Sequence, residues 1–228
     1  MIKYGIATRQ GSTDTGNADA ARAYTSAQHV TGVAVIDGIG HDDATHAIVS
    51  VLAEAAARVA AVRGPLAGML TAAQLVADRG PDDDGPDAVA VAARARPFAP
   101  TVVDWVGDAR AYGWDGEWLT LHTTDHTVGQ QLRANGAPWE LADEHDNWVR
   151  TTLAQAAVAT VYEVEIPANE LVIITTDGVH DQVLHDVMAD LVDAHQDNPQ
   201  ALADAIVTAV QADEDGYRDD ATVVVIRP

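Results

Sequence analysis

Asp37, Asp177 and Asp219 are the residues whose type and placement could do chemistry. Asp37 follows Val33-Ala34-Val35-Ile36 and precedes Gly38-Ile39-Gly40-His41. Asp177 follows Leu171-Val172-Ile173-Ile174-Thr175-Thr176 and precedes Gly178. Asp219 and Asp220 lead into Thr222-Val223-Val224-Val225-Ile226. A short β-branched apolar run stopped by glycine reads as a buried strand ending at a turn. Each carboxylate therefore sits where a strand opens to solvent, and the glycines let other atoms approach the backbone. Oxygen ligands on separate, rigid elements are what a hard divalent cation requires. The plain alternative is that each aspartate caps its own turn. That reading is poor for all of them jointly, because converging carboxylates without a cation would repel one another.

The elements that must position these residues follow in chain order. Residues 1–36 read as short strands around a polar loop at 10–17. Ala44, Ile48, Val51, Leu52, Ala55 and Val59 recur at helical spacing between Asp42 and Val62, with Asp42 or Asp43 as N-cap and Gly64-Pro65 as the stop. A second helix is expected over about 66–78, then an acidic linker, Gly80 to Pro86. Strands are expected at 88–95, 101–106, 110–114 and 118–122, with Asp115-Gly116 turning a hairpin. A helix at 126–136 leads into an irregular stretch carrying Trp139 and Trp148. The segment 127–150 could be a flap over a site, or an excursion with both tryptophans packed inward. Strands return at 156–164 and 170–176, a helix at 186–194, and Asn198-Pro199 opens another. A last strand covers 221–226. Helices in pairs between strands suggest stacked sheets with helices packed outside.

Composition narrows the function classes. The chain has 228 residues, 35 acidic against 13 basic, a formal charge of −22, and no cysteine. Such a surface repels nucleic acid and anionic lipid. Disulfides, thiol chemistry and thiolate-bound metal are excluded. No signal peptide is evident, and no apolar stretch is read as approaching the roughly 20 residues of a membrane span. A cytoplasmic protein is expected, without nucleic-acid or membrane partners.

Taken together and in order, the motifs resemble the metal-dependent protein serine/threonine phosphatases of the PPM, or protein phosphatase 2C, family. Asn17-Ala18-Asp19 is similar to the first acidic motif and Asp37-Gly38-Ile39-Gly40-His41 to the second. Val106-Gly107-Asp108-Ala109-Arg110 is similar to the family's Gly-Asp-Ser-Arg hairpin, and Thr124-Asp125-His126-Thr127 to the segment leading to its flap. Thr176-Asp177-Gly178-Val179 and Asp219-Asp220-Ala221-Thr222 resemble the last two motifs.

The resemblance implies an α+β, four-layer sandwich: two antiparallel β-sheets flanked by helices on both outer faces, as a single domain over 1–228. It implies a small, stand-alone bacterial signalling enzyme, monomeric, hydrolysing phosphoserine and phosphothreonine on proteins with two manganese or magnesium ions. Asp37 would bridge both ions and the Gly38 carbonyl complete one shell. Asp177 and Asp219 would hold the other ion, and Asp19 would position bound waters. Asp108 with Asp177 would offer a weaker third-metal site, and Asp125 stays outside the ligand set. There are departures. Asp14 stands where the family places a phosphate-gripping arginine. Ile39 stands where eukaryotic members carry a histidine proton donor, which leaves His41 as the candidate general acid. Gly-Thr-Thr is missing near Gly85–Ala88. The alternative is a degenerate relative that binds metal or a phosphoprotein and turns over little.

Overall fold

The structure is a computed structural model that describes residues 1–13, 16–40, 42–80, 82, 85–212 and 215–228. Its strands are β1 (Lys3–Arg9), β2 (Asp19–Thr25), β3 (Thr31–Ile39), β4 (Asp87–Ala95), β5 (Thr101–Val106), β6 (Arg110–Trp114), β7 (Leu119–Leu121), β8 (Tyr162–Ile166), β9 (Leu171–Thr175) and β10 (Ala221–Arg227). They form two five-stranded sheets, ordered β1-β10-β9-β6-β7 and β2-β3-β4-β5-β8, and every pairing is antiparallel. Strand alternation explains the stacking. Val33, Val35, Val89, Val91, Ile174 and Val224 bury their side chains between the sheets. Their neighbours Ala34, Ile36, Ala90 and Ala92 face the opposite way, into the helices. A strand apolar on both faces must be covered on both.

Helices α1 (Asp43–Arg63) and α2 (Pro65–Ala73) cover the second sheet. Helices α6 (His185–His195) and α7 (Pro199–Ala209) cover the first. The result is the expected four-layer α+β sandwich. Its caps are those the sequence announces: Asp42 accepts from the Thr45 amide at 2.8 Å, and Asn198 from the Ala201 amide at 3.2 Å.

The buried stripe of α1 differs from the expected one. Thr45, Val49, Leu52, Ala53, Ala56, Ala57, Ala60 and Ala61 face inward, while Val51 is exposed. The cause is close backbone approach. A Cβ on Gly32 of β3 would stand 2.2 Å from the Ala57 carbonyl oxygen, so small residues rather than bulky ones meet the sheet there. This helix also corrects the membrane argument: at 21 residues and mean hydropathy 1.4, it is long and apolar enough to cross a membrane. Its alanines serve packing on β2, β3 and α2 instead. Helix α2 stops at Ala73, short of the expected end.

Between β7 and β8 the chain makes an excursion through α3 (Val128–Ala134) and α4 (Trp139–Asp143), closed by a bridge between Thr127 and Val149. Arg133 pins it by contacting both Asp143 and Asp146. Trp139 and Trp148 are 68% and 60% exposed, so neither is packed inward. The stretch expected as strand from residue 156 is a loop after a 3₁₀ turn at Leu153–Gln155, and β8 starts later.

Candidate metal centre

At one end of the sandwich, strand ends from both sheets surround a cavity of about 510 Å³. Asp37 lies in β3 directly opposite Asp19, the first residue of β2. Both continue the inward-facing parity of Val33, Val35 and Ala21. Gly38 then runs hard against its neighbours: its amide donates to the Ala18 carbonyl at 3.0 Å. A Cβ there would meet Thr45 Cγ2 at 2.6 Å, Ala18 O at 2.8 Å and Val49 Cγ1 at 2.9 Å. Glycine is what lets β3 end beside the N-cap of α1.

Asp177 leaves β9 and opens a single helical turn, α5 (Asp177–His180). The Gly178 Cα lies so close to β10 that a Cβ would stand 2.0 Å from the Asp220 carbonyl oxygen. Thr176 ties the two sheets together. Its hydroxyl donates to Asp19 Oδ2 at 2.8 Å and accepts from the Thr222 amide at 3.0 Å. The adjacent aspartates before β10 divide their work. Asp220 accepts from the Gly11 and Ala18 amides, each at 2.6 Å, and so fastens the N-terminal loop. Asp219 turns to the cavity with its Oδ1 also accepting from the Asp220 amide at 2.8 Å. Asp108 arrives on the β5–β6 turn after Gly107, whose φ of +90° a side chain would strain. Asp125 is held away by a fork from Arg110, with Nη2 to Oδ2 at 2.7 Å and Nε to Oδ1 at 3.1 Å.

Asp19, Asp37, Asp108, Asp177 and Asp219 thus all line the cavity, together with Gly38. Their electrostatics are those of carboxylates crowded without compensation. Burial, then the charges of Asp177, Asp19, Asp108 and Asp219, pushes Asp37 well above the usual carboxylate range. Burial also raises Asp19, against the stabilising Thr176 hydrogen bond. Asp177 is raised to about 7 by burial, then by Asp108 and Asp219. Asp108 is raised to about 6 by burial and then by Asp125. Among the described residues no three carboxylates or imidazoles stand close enough to hold an ion by themselves. The donors instead surround an open cavity, consistent with their mutual repulsion. All of them are oxygens, several with raised pKa and wanting positive charge, which fits magnesium or manganese better than softer metals.

His41 and Asp14 lie outside the described residues. Two arginines near the N-terminal loop do not replace the one missing at Asp14. Arg9 donates to the Val207 and Val210 carbonyls at 3.2 and 2.9 Å, closing the end of α7. Arg22 donates to the Ala21 carbonyl and Ser50 Oγ. The sequence reading missed Asp87 and Arg79, which also line the cavity and form an ion pair at 2.9 Å. The available signal was parity: Asp87 precedes Val89 and Val91 at the spacing that puts all three on the inner face.

Comparison with known proteins places this architecture. No protein-family profile and no curated protein sequence matches the chain. Solved structures do. The serine/threonine phosphatase of S. agalactiae aligns with a TM-score of 0.82 at 16% identity, covering 99% of both chains. Mycobacterium tuberculosis PstP/Ppp aligns at 0.73 and 22% identity, over 99% of this chain and 98% of that one. The PstP catalytic domain in complex with two manganese ions aligns at 0.76 and 20% identity, over 99% and 97%. The chain therefore has the fold of bacterial serine/threonine phosphatases along nearly its whole length.

Proposed function

We propose that this protein is a PPM-type phosphatase that hydrolyses phosphoserine and phosphothreonine on proteins, using two manganese or magnesium ions. The observation that carries the reading is the convergence of Asp19, Asp37, Asp108, Asp177 and Asp219 on one cavity, each raised or half-buried, with the ion pair of Arg79 there made to Asp87 instead. Asp37 would be shared between both ions, with the Gly38 carbonyl beside it. Asp177 and Asp219 would hold the other ion, and Asp19, oriented by Thr176, would position bound waters. Asp108 with Asp177 would form a weaker third position. When bound, such ions supply a more acidic water nucleophile and neutralise charge developing at phosphorus. The residues of this chain hold that charge at the end of a rigid sandwich, where little reorganisation is needed. His41 is the candidate donor of a proton to the leaving seryl oxygen. We take residues 1–228 as one catalytic domain, acting as a cytoplasmic monomer on phosphoproteins.

Purified protein should hydrolyse a nitrophenyl phosphate and a phosphothreonine peptide in manganese, lose activity in chelator, and lose it again in Asp177→Asn. Chelator-resistant hydrolysis, or activity that Asp177→Asn retains, would refute the assignment. A second reading, a metal- or phosphoprotein-binding module with little turnover, is favoured by the excess of carboxylates over cations in the cavity. Manganese binding by calorimetry with no hydrolysis of either substrate would select it.

A further inference from the structure

We propose that Gln155 and Asn147 hold the peptide main chain of the phosphorylated substrate at the carboxylate cavity, and so fit the site to phosphoproteins over small phosphate esters. The inference rests on the phosphatase reading of the same site. Both carboxamides line the cavity, but neither comes from the strand ends that supply the carboxylates. Asn147 lies near the close of the excursion between β7 and β8, and Gln155 ends the 3₁₀ turn. A phosphoserine side chain is short, so an ester whose phosphorus lies among the carboxylates brings its own main chain to the same cavity. Each peptide N–H and C=O that enters loses water and needs a partner there. A carboxylate accepts from the N–H but offers nothing to the C=O. A basic side chain is drawn to the carboxylates, as Arg79 is to Asp87. A carboxamide carries two donors and an acceptor without charge, and can meet both groups of a peptide as a neighbouring strand would.

The two side chains project from fixed backbone. Leu153 is fully buried and anchors the 3₁₀ turn in the core under α1 and α2. The Ala154 amide donates to Asp87 Oδ1 at 3.0 Å, which ties the turn to the start of β4. The Gln155 amide donates to the Thr152 carbonyl at 3.1 Å, and the Gln155 carbonyl accepts from Thr160 Oγ1 at 3.1 Å. The side-chain Oε1 of Gln155 accepts from the Thr152 amide at 3.4 Å, which leaves its Nε2 donors without a partner among the described residues. Asn147 stands between Asp146, which Arg133 contacts, and Val149, which bridges to Thr127. Among the described residues its carboxamide has no hydrogen-bond partner either. Both residues are exposed, so an incoming chain can reach them. Groups carried on backbone that is already ordered lose less freedom when a ligand arrives. A small ester has no peptide group and gains nothing from either amide.

The test uses the full chain in manganese, comparing wild type with Gln155→Ala, Asn147→Ala and the double variant. KM and kcat are read for nitrophenyl phosphate and for a pair of phosphothreonine peptides of unlike flanking sequence. Each single variant should raise KM for both peptides about fivefold, the scale of one neutral hydrogen bond, and the double variant more. For the peptides kcat should change less than about threefold, because ground-state binding is what is lost. KM for nitrophenyl phosphate should stay within about twofold of wild type, since no contact to that ester is removed. A variant that merely loosened the turn or the excursion would shift all the substrates together. Such a common shift, an effect confined to one peptide, or no effect at all would overturn the proposal and leave the phosphatase reading standing. Wild type that hydrolyses nitrophenyl phosphate but neither peptide would overturn it too. If only the peptides are hydrolysed, calorimetric affinity for inorganic phosphate replaces nitrophenyl phosphate as the control. If wild type turns nothing over, the phosphatase reading fails and calorimetric binding of the same peptides decides. Weaker binding in the double variant would then support the assignment, and binding equal in both, or absent from wild type, would overturn it.

Discussion

Asp104 offers a quantitative test of the electrostatic reasoning at a position away from the cavity. It lies in the middle of β5, fully buried, on the face opposite Val103 and Trp105. Among the described residues no N–H or hydroxyl donor reaches either of its oxygens, and the polar group they meet is the Glu163 carboxyl. Glu163 stands directly across from it on β8. Burial, then the charge of Glu163, raises its pKa to about 7 from an ordinary 3.8. Between those values the folded chain holds a proton that the unfolded chain has released. Stability therefore falls as pH rises through that window and levels off above it. A gap of roughly 3 pH units at about 1.36 kcal/mol each sets an upper bound of about 4 kcal/mol. Local relaxation and water entry beside the exposed edge of β8 reduce this to about 2 kcal/mol. Asp104→Asn keeps the shape, removes the charge, and places an amide donor opposite the Glu163 carboxylate. For a chain of this size Tm should rise by about 4–8 °C at about pH 8, and by clearly less at about pH 5, where only part of the window has been crossed. Scanning calorimetry of both proteins at both pH values reads this directly. The carboxylates of the cavity titrate in the same direction, but they are common to both proteins and cancel in the difference. A Tm shift equal at the two pH values, or a fall at the higher one, would refute the burial argument.

Asp37→Asn should reduce turnover at least about 100-fold, as the loss of a central electrostatic contributor does, and abolish the rise in Tm that manganese gives wild type. Because four neighbouring carboxylates repel Asp37, the metal-free variant should melt no lower than metal-free wild type, and a clear drop would contradict the crowding described above. Gly38→Ala should destabilise by about 1–3 kcal/mol through overpacking against Ala18, Thr45 and Val49, and weaken manganese binding as the end of β3 shifts. A urea melt and manganese titration matching wild type would show that β3 ends differently. His41→Ala should slow alkyl phosphates far more than nitrophenyl phosphate, whose leaving group needs no proton. Equal slowing of both would refute His41 as the proton donor.

The strand-ending aspartates were legible in sequence because the period of a buried strand and the glycine that stops it are both local. Val33–Ile36 before Asp37-Gly38 and Leu171–Thr175 before Asp177-Gly178 announce a carboxylate at a strand end with no knowledge of neighbours. The N-caps at Asp42 and Asn198 are local for the same reason. What each carboxylate meets depends on strands distant in the chain, and that only the tertiary structure decided. Nothing in Asp219-Asp220 says which member faces the cavity. The Asp220 oxygens are taken by the Gly11 and Ala18 amides, more than 200 positions away in sequence, and that leaves Asp219 for the site. The buried face of α1 could not be read from its apolar spacing, because an alanine-rich helix is apolar nearly all round. The glycine in β3 that its backbone approaches chose the face. Arg79 and Asp87 flank the acidic linker, and only the β3–β4 register sets Asp87 beside Asp37. Pairing across strands is a long-range choice made by packing, and a single sequence carries the parity of each strand but not its partner.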